Sequence, residues 1–281
     1  MTIAIEQGEA SPRTRLQEGL RALQPRIVWC HHFDLGHGVE TVTIDHKMYY
    51  EKALGLKKIG RQIIESVPFI TSKRDIGELS VLDLACGEGA HAVAAAQAGA
   101  RRVLGIEGRK LYVDRCQFVK ECLSLDTAEF RQGDVRTVDV AEVGQFDLVL
   151  FLGILHHLAA EDFDPMLRRL YDLTADTCVI YTHTSETGCE VKFGDRLSEE
   201  IETATNRRGR LYIEHPEGIS DAQKERRVRN SLNNDFGFWA RERSLVDGLR
   251  DAGFSYVARQ IHPNPFGDPA GAFRVLYVCR R

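Results

Sequence analysis

From residue 79 onward, short apolar runs alternate with stretches of helical period, and this alternation constrains the fold more than any other feature of the chain. "LSVLDLA" (79–85), "RRVLGIE" (101–107), "AEFRQGD" (128–134), "FDLVLFL" (146–152) and "TCVIYTH" (177–183) read as strands. "GAHAVAAAQAGA", "RKLYVDRCQFVKECLSL" and "EDFDPMLRRLYDLT" between them read as helices. Apolar strands separated by helices build a parallel sheet covered on both faces, with right-handed crossovers. "WARERSLVDGLRDAG" reads as a further helix closed by Gly253, and "FSYVARQIH" and "AFRVLYVCR" as two last strands around a Pro/Gly-rich connector. With no helix between them, these two pair antiparallel at the sheet edge. The expected fold class is α/β: a Rossmann-like, seven-stranded, mostly parallel sheet with an antiparallel last strand and helices on both faces.

Two regions stand outside that rhythm. Residues 1–75 form an expected N-terminal lid or cap, before a main domain over 76–281. In the lid, Ser11 and Pro12 open a short amphipathic helix that Pro25 ends, and "DHKMYYEKALGLKKIGRQIIES" is a second helix that Pro68 stops. Residues 184–235 read as a substrate-side insertion after the fifth strand, whose "NRRGR" and "KERRVR", mixed with acids, predict a solvated mixed-charge helix.

The 281 residues are long enough for one large α/β core. A net charge of −4 provides no basic field for a nucleic-acid backbone or an anionic membrane. Seven scattered cysteines without a CxxC pair point to reduced thiols. The N-terminus has no apolar leader, and no stretch approaches the about 18 apolar residues of a membrane span. The expectation is a soluble, cytoplasmic protein. His31, His32, Asp34, His37 and His46 lack the recognised short ligand spacings, so no metal site is expected.

The densest chemical signal is "VLDLACGEGAHA". Gly87 and Gly89 lie where a strand passes into a helix, so backbone can approach a ligand at the carboxyl edge of the sheet. Asp83 there would repel a pyrophosphate and suit a sulfonium or ammonium ligand. Glu107, closing the second strand, can accept from both ribose hydroxyls, and Asp134, after the third, can accept from an adenine amine. Together the acids fit an adenosine with an amino-acid tail better than a dinucleotide.

These residues resemble the class I S-adenosylmethionine-dependent methyltransferases. The first motif of that family stands here as "VLDLACGEG", with Ala85 where many members have glycine. The resemblance implies S-adenosylmethionine as cofactor, with S-adenosylhomocysteine as product. It implies ribose at Glu107, adenine at Asp134 and the methyl group beside "FDLVLFLGILHHL"; Gly108, Val135, Leu152 and Gly153 complete the expected cofactor contacts. Locally, "RKLYVDRCQFVKECL", "FLGILHHL" and "WCHHFDLGHGVET" are also similar to the wobble-uridine carboxymethyltransferase-like group and related small-molecule methyltransferases. The tRNA enzymes carry Tyr-His-Arg where His156, His157 and Leu158 stand, which favours ordinary S-adenosylmethionine and a small acceptor.

The expected activity is methylation of an oxygen or nitrogen on a small molecule, as in secondary metabolism, without nucleic acid or membrane as partner and compatible with a homodimer. His156 or His157 is the candidate general base, with His183 at the end of the fifth strand as a third candidate. Adjacent side chains diverge, so only one of the pair can face the site. Trp29, His32 and Phe33 in the lid, and Tyr181, Tyr212 and Trp239, are candidate acceptor contacts. The alternatives are an RNA-modifying transferase, aminocarboxypropyl transfer or cyclisation from the same sulfonium, an NAD-dependent oxidoreductase, and a non-catalytic S-adenosylmethionine binder.

Overall fold

The structure, a computed structural model, describes residues 11–23, 28–42, 47–186, 188–260 and 273–281. Pro25, His46 and the connector before the last strand lie outside them. In chain order the elements are α1 (Pro12–Ala22), α2 (Lys47–Ile70), β1 (Ser80–Leu84), α3 (Ala90–Gln97), β2 (Arg102–Glu107), α4 (Lys110–Cys122), β3 (Ala128–Gln132) and α5 (Val140–Val143). There follow β4 (Phe146–Leu152), α6 (Phe163–Leu173), β5 (Thr174–His183), α7 (Cys189–Phe193), β6 (Leu197–Glu202), β7 (Arg208–Ile213), α8 (Asp221–Arg226), β8 (Phe236–Ala240), α9 (Glu242–Ala252), β9 (Tyr256–Arg259) and β10 (Arg274–Arg280).

Seven strands form the main sheet in the order β3-β2-β1-β4-β5-β10-β9, parallel except for β10, which runs antiparallel to both β5 and β9. The continuous apolar strands are explained by burial on both faces. Along β4, Phe146, Val149 and Phe151 join one core with α6 and α9, while Leu148 and Leu150 join the other with α2, α3 and α4. Each fully buried large apolar side chain contributes about 1.5–3 kcal/mol, and β4 carries five of them at 0% exposure.

Local signals account for most boundaries. The Ser11 hydroxyl caps α1 by accepting from Thr14 N–H, and Gly253, at φ 118°, closes α9. Pro68 does not stop α2: it sits in the last turn, and Thr71 N–H still reaches Val67 O at 3.0 Å.

The insertion differs from its expected form. It is a three-stranded antiparallel sheet, β6-β7-β8, that continues to Ala240, so "FGFWA" is a strand and Trp239 does not begin α9. "NRRGR" enters β7 rather than a solvated helix; of "KERRVR" only Lys224–Arg226 are helical, in α8, where Ser220 and Gln223 form a capping box. Phe238 and Ala240 enter the main core, and Phe238 N–H donates to Leu158 O at 2.8 Å, which fixes this small sheet against the loop after β4.

Candidate active site

The turns that follow β1, β2, β3 and β4 share one edge of the sheet and enclose a cavity of about 460 Å³. Among the candidate residues, Ala85, Gly87, Glu107, Gly108, Asp134, Val135, Gly153 and His157 line it. A larger cavity of about 660 Å³ lies between α2 and the β5-β10-β9 part of the sheet, away from all four turns, and carries none of this chemistry.

The first wall is built by conformations that side chains resist. Ala85, Gly87 and Gly89 all have positive φ (57°, 58° and 78°), and Gly89 N–H closes a turn on Cys86 O at 2.9 Å. A Cβ on Gly89 would stand 2.9 Å from the Phe130 ring and 3.0 Å from Cys116 Sγ, so both the backbone angle and the packing require glycine. Gly89 shapes this turn from behind and does not line the cavity.

Glu107 ties two turns together. Its carboxylate accepts from Gly87 N–H at 2.9 Å and from Arg109 N–H at 2.8 Å. Burial pushes its pKa up, opposed by those backbone donors. Asp134 holds Arg136 at 2.6 Å, and Arg136 also reaches Asp162 at 3.2 Å. Burial pushes the Asp134 carboxyl up, but Arg136 outweighs it and leaves the pKa below its ordinary value.

Asp83 turns the other way. It is 2% exposed and its Oδ2 accepts from Ala92 N–H at 3.2 Å in the first turn of α3, so it does not face the cavity. The positive end of α3 and a backbone donor draw the carboxylate inward. Burial raises its pKa to about 7. A carboxyl whose folded pKa is raised holds its proton more tightly when folded, so its contribution is full below about pH 4 and is lost as pH rises through about 7. Asp83→Asn keeps an oxygen for Ala92 N–H and removes this titration. We expect a gain of up to about 4 kcal/mol above pH 7 and little change near pH 4, read from melts at both pH values.

The two adjacent histidines lie on a single 3-10 turn, Leu155–His157, that follows Gly153 (φ 86°) after β4. They diverge. His157 lines the cavity, its side chain 17% exposed, and its Nδ1 lies 2.7 Å from Oε1 of Glu214, which is fully buried. His156 points inward at 5% exposure, stacks on His183 at 3.9 Å, and its Nδ1 accepts from His183 N–H at 3.3 Å. Burial, reinforced by the neighbouring imidazoles, holds His156 well below the ordinary histidine value; burial and Arg274 lower His183 to about 3. Both are neutral imidazoles packed away from the cavity, and neither is placed to take a proton there.

His183 belongs to an aromatic cluster. Tyr212 stacks on Trp239 at 4.7 Å, and Phe193 and Phe273 pack edge-on against His183 or Trp239. Tyr212 and Trp239, expected at the acceptor, are instead the core of the insertion, 6% and 1% exposed, because β7 and β8 pair and bury that face. Tyr181 is also buried, its carbonyl accepting from Gly153 N–H at 2.9 Å. Leu152 ends β4 packed against the core on the α2, α3 and α4 side rather than on the cavity wall.

The lid residues take another position as well. Trp29 is fully buried beneath the Arg115 guanidinium, 4.6 Å from the ring centroid. Arg115 pairs at 2.5 Å with Glu88, both side chains fully buried, and Glu88 also accepts from Cys30 N–H and His31 N–H at 2.9 and 2.8 Å. This knot anchors residues 28–42 to the glycine turn. His32 and Phe33 line a separate cavity of about 380 Å³ beside Lys57 and Arg61, so none of the three lid candidates reaches the cavity at the strand ends.

The outer wall of the strand-end cavity comes from residues outside the candidate set. Val228–Asn234, from the insertion, run over the opening, and Leu232 Cδ2 would lie 3.0 Å from a Cβ on Gly108. Arg109 fastens this segment by donating to Asn230 O at 3.0 Å and Glu225 O at 3.3 Å. Tyr112, Gln132 and Arg136 complete the adjoining wall. Only the asparagines of "NSLNND" hint at a polar wall.

Residues 81–177 match the family model described as a methyltransferase domain. No curated protein sequence matches the chain. Among solved structures, the N-terminal domain of EvdMO1 with S-adenosylhomocysteine bound is 23% identical, with a TM-score of 0.69 over 96% of this chain and 97% of that one. Against the longer EvdMO1 chain the match spans 99% of this chain but 49% of that one, at a TM-score of 0.59. Magnesium protoporphyrin IX methyltransferase (ChlM) from Synechocystis PCC 6803, with S-adenosylhomocysteine bound, is 18% identical, with a TM-score of 0.56 over 95% of each chain. The strand order with its reversed β10 and the glycine turn after β1 give this chain the fold of those structures, and residues 81–177 carry its similarity to a methyltransferase domain.

Proposed function

We propose that this chain methylates an oxygen or nitrogen of a small-molecule acceptor, with His157 as general base, in a reduced cytoplasmic setting. The observation that carries this reading is His157: an imidazole on the wall of the strand-end cavity, backed at 2.7 Å by a buried carboxylate. The cavity fits the cofactor. Ala85, Gly87, Gly108 and Gly153 offer a wall with little side chain, Glu107 would hold the ribose hydroxyls, and Asp134 and Val135 would flank the adenine. When bound, S-adenosylmethionine supplies an electrophilic methyl group on a good leaving group. The protein's own tasks are orientation, water exclusion and proton removal. His157 performs the last by accepting the acceptor's hydroxyl or amine proton.

A small acceptor is supported by the insertion segment that runs over the cavity, and by the absence of a net basic charge. Two of the similar structures, a magnesium protoporphyrin IX methyltransferase and the N-terminal domain of EvdMO1 solved with D-fucose, agree with it. Residues 1–75 are then a cap anchored through Glu88, and the insertion supplies the outer wall.

Calorimetry tests the cofactor: S-adenosylhomocysteine is expected to bind and NADH to give no heat. Binding of NADH alone would replace this reading with a dehydrogenase. Incubation of methyl-labelled S-adenosylmethionine with small hydroxyl and amine compounds, and separately with tRNA, then tests the acceptor. Label in a small product with release of S-adenosylhomocysteine is the expected result; label only in tRNA, or release of methylthioadenosine, would overturn it.

A further inference from the structure

We infer that Glu214 is the positioning residue of this site: it fixes the tautomer and ring orientation of His157 so that Nε2, the nitrogen remote from Glu214, is the proton acceptor. The inference rests on the reading of His157 as the base. Glu214 lies directly after β7, in the insertion, far in sequence from the turn after β4 that it serves. Its carboxylate is fully buried, and its partners divide between the two oxygens. Oε1 meets His157 Nδ1 at 2.7 Å; Oε2 accepts from Ser231 N–H at 2.9 Å and from Asn230 Nδ2 at 3.3 Å. Ser231 N–H can only donate, so the oxygen facing it must remain an acceptor. The other oxygen is left to receive Nδ1–H from a neutral imidazole, which places the lone pair on Nε2.

The surroundings are shaped for this contact. A Cβ on Gly237 would lie 2.8 Å from Glu214 Oε1 and would collide with His156 O, so the glycine in β8 makes room for the carboxylate beneath the histidine turn. Asn234 Nδ2 donates to His157 O at 3.0 Å and holds the backbone of the same residue. The segment that covers the cavity and the group that aims the base are therefore one hydrogen-bonded unit.

Glu214→Gln gives a sharp test because the fixed donor at Ser231 decides how the amide lies. Its carbonyl oxygen must face Ser231 N–H, so its NH₂ faces His157 and now donates to Nδ1. The proton then moves to Nε2, and the base is lost without loss of volume. Nitrogen-15 NMR of histidine-labelled protein, with His157 assigned by its absence in His157→Gln, is expected to show Nδ1–H in the wild type and Nε2–H in Glu214→Gln. S-adenosylhomocysteine affinity, measured by calorimetry, should change by less than about threefold, and turnover should fall at least about tenfold. A wild-type spectrum with the proton on Nε2 would overturn the inference without any variant having to fold. So would a Glu214→Gln protein that keeps both the wild-type tautomer and turnover. If His157→Gln itself leaves turnover intact, it is the reading of His157 as base that fails, whatever the tautomer.

Discussion

His157→Gln is expected to lower kcat by about 10²- to 10⁴-fold while S-adenosylhomocysteine still binds, because the imidazole acts on the acceptor proton and not on the cofactor. The acceptor for this assay is the compound labelled in the transfer screen. His156→Gln separates the two neighbours. His156 is buried against His183 and Trp239 at ring distances of 3.9 and 6.0 Å, so its replacement should reduce stability and leave the residual fold with a normal base. Steady-state kinetics with calorimetry on both variants reads the difference. Equal turnover in His157→Gln and wild type would remove His157 from the mechanism. A collapse confined to His156→Gln would move the base to the wrong side of the turn for the cavity described here.

Arg115→Met is expected to destabilise the protein by about 3–5 kcal/mol, because it strands the Glu88 carboxylate at 0% exposure without its cation. The loss has a second component: the guanidinium also covers Trp29 and donates to Leu23 O at 3.0 Å, so it holds the end of α1 as well as the carboxylate. Adding Glu88→Gln should recover part of the stability, since an amide needs no counter-charge and can still accept from Cys30 and His31 N–H. Urea unfolding of the single and double variants measures this coupling. Additive losses would mean that the pair is incidental to the anchoring of residues 28–42.

The main sheet was legible because its strands are buried on both faces: "FDLVLFL" matches β4 residue for residue, and Glu107 closes β2 as its position demands. The insertion was not. Its strands turn charged residues such as Glu199 and Glu200 to solvent, and "FGFWA" runs straight into a helical pattern, so composition masked a sheet. The place of Gly87, Glu107 and Asp134 on the cavity wall was readable because each sits at, or within three residues after, the end of its own strand. Asp83 is on the same motif, yet the N–H of Ala92 turns it away, a competition between ligand and helix that residue identity does not resolve. Glu214 and Asn230 were invisible for a different reason. Their partners are side chains brought close only by the tertiary fold, and a single acid in "YIEHPEG" carries no spacing signal.

Phe238 and Ala240 of β8 lie in the same core as β4 and α6, while the neighbouring Gly237 presses on the turn that bears the histidines. The segment between β5 and α9 is thus not a detachable accessory. Its excision would leave an apolar hole under α6 and unmoor the turn that bears the histidines. The insertion and the main sheet should therefore unfold as one cooperative unit.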